Sequence, residues 1–236
     1  MAAFSSRLAD HAIAIGKEIE HPFSQSIAFM WATLAACSAR DYARARERAE
    51  MLLQIADRHS FPAYMGVALV ACGACRTLAG ETEFGLKLIG EGLGRQRQNG
   101  LGGWLGFTLV TAATAHIQCG NLGHVLELLT EAMAHAEKSS AKVLLPEVER
   151  LHAEVLLLTG QIDAAQAMLR VEAAAAHARQ QGARALEWRA AMALVRLYSG
   201  AGRHDEDVNC CVATMRRLPK DSRRPTWWRG SGCWMR

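Results

Sequence analysis

Ala153-x-x-Leu156-x-x-x-Gly160-x-x-x-x-Ala165-x-x-x-Leu169 is the stretch that decides the fold. A small residue and an apolar one precede a turn glycine, and a small and an apolar residue follow it one helical turn apart. That is the pattern of two helices crossing closely around a tight connection. Read outward, the glycine recurs as Gly80, Gly120, Gly160 and Gly202, with Ala39-Arg40-Asp41 one step earlier. A second set of breaks runs out of phase: Ser60, Asn99-Gly100, Ser139-Ser140 and Gln181-Gly182, and Pro22 and Pro62 stand forty apart. Two breaks in a period of about forty residues mean one helix pair per repeat. Such a unit buries its apolar face only by stacking on its neighbours, which predicts an all-α, right-handed α-solenoid.

The expected elements are a first helix over 5–20 and then pairs at 23–39/41–58, 62–79/81–98, 102–119/121–138 and 145–159/161–181. A fifth pair opens at 183–201. A forty-residue step lines up a small column, Thr33, Gly73, Ala113 and Ala153, and a second, Ala45, Gly85, Val125 and Ala165. Ala49, Ile89, Leu129 and Leu169 form an apolar column behind the second. Small residues at a crossing let backbones approach, so a bulky substitution at Ala165 is expected to overpack it.

The net charge of +4 is unevenly spread. Residues 203–236 hold eight basic and four acidic side chains, leaving nineteen of each sign in 1–202. The body therefore offers no basic stripe for a phosphate backbone, and nucleic acid is not an expected partner. No apolar run is long enough to span a bilayer, and residues 1–7 lack a signal-peptide core, so a cytoplasmic protein with reduced thiols is expected.

The residues quoted at the outset resemble the tetratricopeptide repeat, although a forty-residue period implies longer helices than that repeat has. A closer resemblance covers 6–204. His21-Pro22-Phe23-Ser24, Ala43 to Glu50, Glu147 to His152 and Leu186 to Ala191 are similar to the C-terminal repeat region of large bacterial signalling ATPases. Those proteins join an adenylate/guanylate cyclase or a DNA-binding domain to a P-loop ATPase and then to the array. The resemblance implies a regulatory or scaffold arm. It carries no enzyme activity here, because no Walker A motif or cyclase segment occurs. The rival reading is a cyclase or AAA-type ATPase activity belonging to the parent polypeptide, and a third is a free-standing sensor of a small molecule.

Candidate chemistry is sparse. Cys72-x-x-Cys75 has no second pair at zinc spacing and no strand before it, so both cysteines read as helix-packing residues. The glycines from Gly90 to Gly103 fit neither a dinucleotide nor a P-loop pattern and read as a loosened helix and a turn. His116, His124, His135 and His152 form no metal motif. No catalytic residue, metal or cofactor is therefore assigned. In tetratricopeptide arrays the first helices line the concave face, and that likeness implies groove contacts at Phe107, Gln118, Arg150, Glu154, Arg189 and Arg196, with Val67, Val70 and Ala74 beside them. The three arginines either clamp an acidic segment or pair with Glu147, Glu154 and Glu187 in a solvated network; both readings stand at this point. The partner is a protein, a peptide or another domain of the parent.

The array is expected to start mid-repeat, and its period stops near Arg203-His204. Residues 205–236, which hold Cys210, Cys211 and Cys233, lack a helical apolar period and are expected to be disordered or frame-shifted. The last helix would then expose Leu194 and Leu197, and self-association through uncapped solenoid ends is expected.

Overall fold

The computed structural model describes residues 2–99, 104–138 and 142–202; for residues 2–6 it describes the backbone alone. The expectations for 205–236, including the tail and the second helix of the fifth pair, lie outside these residues. Among the described residues there are ten α-helices and no strand. They are α1 (Ala2–Glu18), α2 (Pro22–Ser38), α3 (Tyr42–Arg58), α4 (Pro62–Leu78), α5 (Thr82–Asn99), α6 (Leu105–Gln118), α7 (Val125–Lys138), α8 (Leu145–Leu158), α9 (Ala164–Gln180) and α10 (Arg184–Gly200). A 3-10 turn, Lys142–Leu144, leads into α8. The fold is an all-α solenoid of helix hairpins. It forms two compact units, α1–α6 and α7–α10, which divide at Cys119–Gly120, inside the third expected pair.

One backbone device punctuates the chain. Glu20, Arg40, Ser60, Gly80, Gly120, Gly160, Gly182 and Gly202 all have positive φ, between 53° and 94°. The two sets of breaks are therefore a single series, one left-handed residue about every twenty. Each follows the end of a helix, and after Arg40, Ser60, Gly80, Gly160 and Gly182 the next amide reaches back into the last turn. After Gly160, for example, the Gln161 amide donates to the Leu156 carbonyl at 2.9 Å. That is the left-handed C-terminal cap, which favours glycine because a Cβ is strained there.

The forty-residue step fails once. Ala45 and Ala49, Gly85 and Ile89, and Val125 and Leu129 are buried as the columns require. Ala165 and Leu169 are not, and Leu169 is 66% exposed. Their places are taken by Ala167 and Val171, both fully buried and forty-two residues beyond Val125 and Leu129. The cause is local. In α9 the capping box between Asp163 and Gln166 follows Gly160 by three residues, and the buried face begins seven residues after that glycine, where Ala45, Gly85 and Val125 stand five after Arg40, Gly80 and Gly120. Ala167→Phe is thus expected to cost about 1–3 kcal/mol by overpacking, while Ala165→Phe stays close to zero. Urea denaturation of the two variants checks this, and equal costs would reject the shifted register.

Within the α1–α6 unit the core runs through Phe29, Met30, Leu34, Leu52, Ala56, Tyr64, Val67 and Ala68. Within the α7–α10 unit it runs through Ala153, Met168, Val171, Ala175, Ala190, Ala193, Leu194 and Tyr198. Leu194, expected to be exposed at an uncapped end, is only 5% exposed, because it joins that core.

Buried thiols add a third cluster, with Cys37, Cys72 and Cys75 among Ala36, Ala45, Ala49 and Ala71. Burial pushes the Cys72 thiol up to about 11 and the Cys75 thiol up to about 12, and raises Cys37 further. An unfolded thiol titrates near roughly 8.5. The folded state therefore favours protonated sulfur, and this share of stability is complete below that range and lost as pH rises towards 11–12. Cys72→Ala is expected to flatten the alkaline limb of a stability-versus-pH curve measured by urea denaturation. An unchanged limb would show that the thiols do not cause it.

Candidate functional site

Hairpin geometry decides which face is open. Helices α2, α4 and α6 pack on one another, α2 and α4 also on their hairpin partners α3 and α5, and α8 packs on both α9 and α10. The second helices pack chiefly against first helices. The first helices thus form the inner layer of each unit, where repeat proteins present ligand-binding surface.

In the α1–α6 unit this layer is almost free of charge. Arg76, near the end of α4, is the one Asp, Glu, Lys or Arg in α2, α4 and α6. Phe23, Ile27 and Trp31 recur every four residues on α2, so they share one stripe. They are exposed by 46%, 37% and 48% respectively. The Trp31 ring meets Phe107 of α6 edge-on, centroids 5.8 Å apart. Phe23 in turn packs edge-on against Phe61 and Tyr64, and Tyr64 stacks on Trp104 at 5.7 Å. The residues of the middle helix expected in the groove are not on this surface: Val67 and Val70 are fully buried and Ala74 is 1% exposed. Their expected place in the groove is therefore corrected. They fill the core instead, Val67 among the residues of the first cluster and Val70 against Gly92 of α5. Gln118 is exposed at the end of α6.

The inner layer of the α7–α10 unit is the opposite, an ion-pair chain. Arg150 is 2% exposed, yet it donates through Nε and a terminal nitrogen to both oxygens of Glu147, at 3.1 and 2.9 Å. Its other terminal nitrogen donates to Glu154 at 2.7 Å. From α10, Arg189 donates to Glu147 at 3.1 Å and Arg196 to Glu154 at 2.9 Å. Burial alone would lower the Arg150 pKa, but the charges of Glu147 and Glu154 and their hydrogen bonds raise it well above its ordinary value. Arg150 is therefore charged at any working pH. The pairing alternative is the one the structure adopts for these residues, and Arg150 lies too deep to clamp an incoming acid. Glu187 departs from that scheme, since it accepts from Arg179 at 2.9 Å. Arg196 remains 63% exposed along its side chain.

The sequence reading missed Phe23, Ile27 and Trp31, because α2 looked uniformly apolar and gave no contrast between its faces. The i, i+4, i+8 spacing of three large side chains was the available signal.

Among the described residues no group of three His, Cys, Asp or Glu side chains is placed to hold a metal ion. No described helix is long and apolar enough to cross a membrane.

No protein-family model matches the chain. No curated protein matches it either. Among solved structures, the chain is similar to the crystal structure titled aspartyl phosphate phosphatase F from Bacillus subtilis, with a TM-score of 0.62 and 16% identity. The match covers 92% of this chain and 56% of that one, so the chain spans about half the length of its structural neighbour. At this identity the likeness concerns the fold, and it supports a tetratricopeptide-like helical repeat.

Proposed function

We propose that this chain is a non-catalytic protein-interaction module that binds an apolar-faced peptide segment on the inner layer of its α1–α6 unit. The observation that carries the proposal is the uncharged stripe of Phe23, Ile27 and Trp31 flanking Phe107. Contiguous exposed apolar surface of this kind marks interaction sites, and aromatic side chains dominate binding energy at them. Phe107 contributes a ring at the rim and Gln118 a hydrogen-bonding end. Glu154, Arg189 and Arg196 offer a second, polar contact area on the other unit, with Arg196 its most accessible donor.

Selection from a displayed library of random twelve-residue peptides tests this directly. Enriched peptides should carry apolar residues at helical or alternate spacing. Trp31→Ala and Phe107→Ala should each weaken binding at least tenfold with the circular dichroism unchanged. Peptides that bind both variants as well as the parent would place the site elsewhere. The resemblance over 6–204 extends the proposal: the module serves as the sensor or scaffold arm of a cytoplasmic, ATP-dependent bacterial signalling protein. An in-frame P-loop ATPase segment in the complete gene would support that extension, and a complete gene without one would reject it.

A further inference from the structure

The α1 helix packs on α2, and Arg48 of α3 reaches across to its Asp10. The remaining side of α1 shows Leu8 and Ile15, exposed by 55% and 42%, together with exposed Ala12, and Ile19, 57% exposed, follows directly after its last residue with its amide donating to the Ile15 carbonyl. These four residues follow the alternating three- and four-residue spacing of a heptad seam, which buries its stripe against another helix. The margins carry a polarity. Asp10 turns to Arg48 and Lys17 to the Phe29 ring, which leaves exposed Arg7 and His11 toward one end and exposed Glu18 toward the other.

We infer that this face is where a second copy of the chain docks, with the two α1 helices antiparallel about a twofold axis. In the register centred between Ala12 and Ile15, Leu8 meets Ile19 of the other copy and Ala12 meets Ile15, so large residues oppose each other at the ends and small meets large at the centre. The same register brings each Glu18 beside the Arg7–His11 end of its partner. A parallel pairing would set Glu18 against Glu18. A twofold interface needs a self-complementary patch, and the α1 stripe is one in both shape and charge. The surface differs from the peptide-binding stripe on α2, so either proposal can fail without the other.

Sedimentation equilibrium of the full chain from 1 to 100 µM tests the inference. The expected result is a monomer–dimer equilibrium. Because Ile15 is exposed, Ile15→Asp should give a monomer throughout that range with unchanged helicity by circular dichroism. Glu18→Arg should weaken the dimer at least tenfold, and adding Arg7→Glu and His11→Glu to it should restore most of the loss. A parent chain that stays monomeric at 100 µM would overturn the proposal. A dimer that survives Ile15→Asp would overturn it as well, by placing the interface on another surface. Failure of the triple charge reversal to restore association would reject the antiparallel register.

Discussion

Glu147→Ala is expected to destabilise the α7–α10 unit by about 3–5 kcal/mol, the cost of leaving one member of a buried ion pair alone. Glu147 takes three of the hydrogen bonds that hold α8 to itself and to α10, two from Arg150 and one from Arg189. With the carboxylate gone, Arg150 keeps its charge in a site that is 2% exposed, and only Glu154 remains to compensate it. A loss of this size is a large part of the 5–15 kcal/mol that holds a typical domain folded. Urea unfolding followed by circular dichroism should show an early transition for the part of the signal belonging to that unit. The paired replacement Glu147→Leu with Arg150→Met separates charge from packing. It removes both buried ions, so it should recover a substantial part of the loss, while the more exposed Arg196–Glu154 pair stays in place. If the double variant is as unstable as the single one, the buried charge is not the cause and the packing volume at Glu147 is.

Helix spans were legible in the sequence because the left-handed caps fall so regularly. Gly80, Gly120, Gly160 and Gly202 are recognisable by residue type. Glu20, Arg40 and Ser60 adopt the same conformation without a glycine to advertise it, and only the twenty-residue spacing betrays them. What misled the reading was constancy of the step. Two extra residues between Gly160 and the capping box rotate α9 so that Ala165 and Leu169 face solvent, although both fit the repeat pattern by residue type. The candidate site shows a comparable limit. Arg150 is buried with three carboxylate contacts supplied from two turns of one helix, while Trp31 stays 48% exposed beside Phe107 of α6. Spacing shows that Glu147 and Glu154 can reach Arg150 along one helix, but not that Arg189 and Arg196 of α10 join them, nor that the α2 stripe stays open.

The glycines of α4 and α5 carry the other large effect. Gly66 faces Gly92 and Gly73 faces Gly85, each pair seven residues from the next, so two antiparallel helices touch backbone to backbone along two turns. This explains the glycine-rich run that the sequence suggested would loosen the helix, because α5 is continuous from Thr82 to Asn99. A Cβ added at Gly73 would stand 2.5 Å from the Gly85 carbonyl oxygen, and one at Gly85 would stand 2.6 Å from the Gly73 oxygen. Backbone cannot swing aside as a side chain does, so the helices must part and surrender contacts along their whole length. Gly73→Val is therefore expected to cost at least the 1–3 kcal/mol usual for overpacking, and about twice that if the pair separates as a unit. Gly90→Ala supplies the control. It sits mid-helix on the exposed side of α5 with nothing near its added Cβ, so it should stabilise the protein by about 0.5–1 kcal/mol through helix propensity. Opposite signs for two substitutions that each add carbon to a helical glycine would be the signature of the close crossing. If Gly73→Val proves as benign as Gly90→Ala, the two helices are not held in backbone contact.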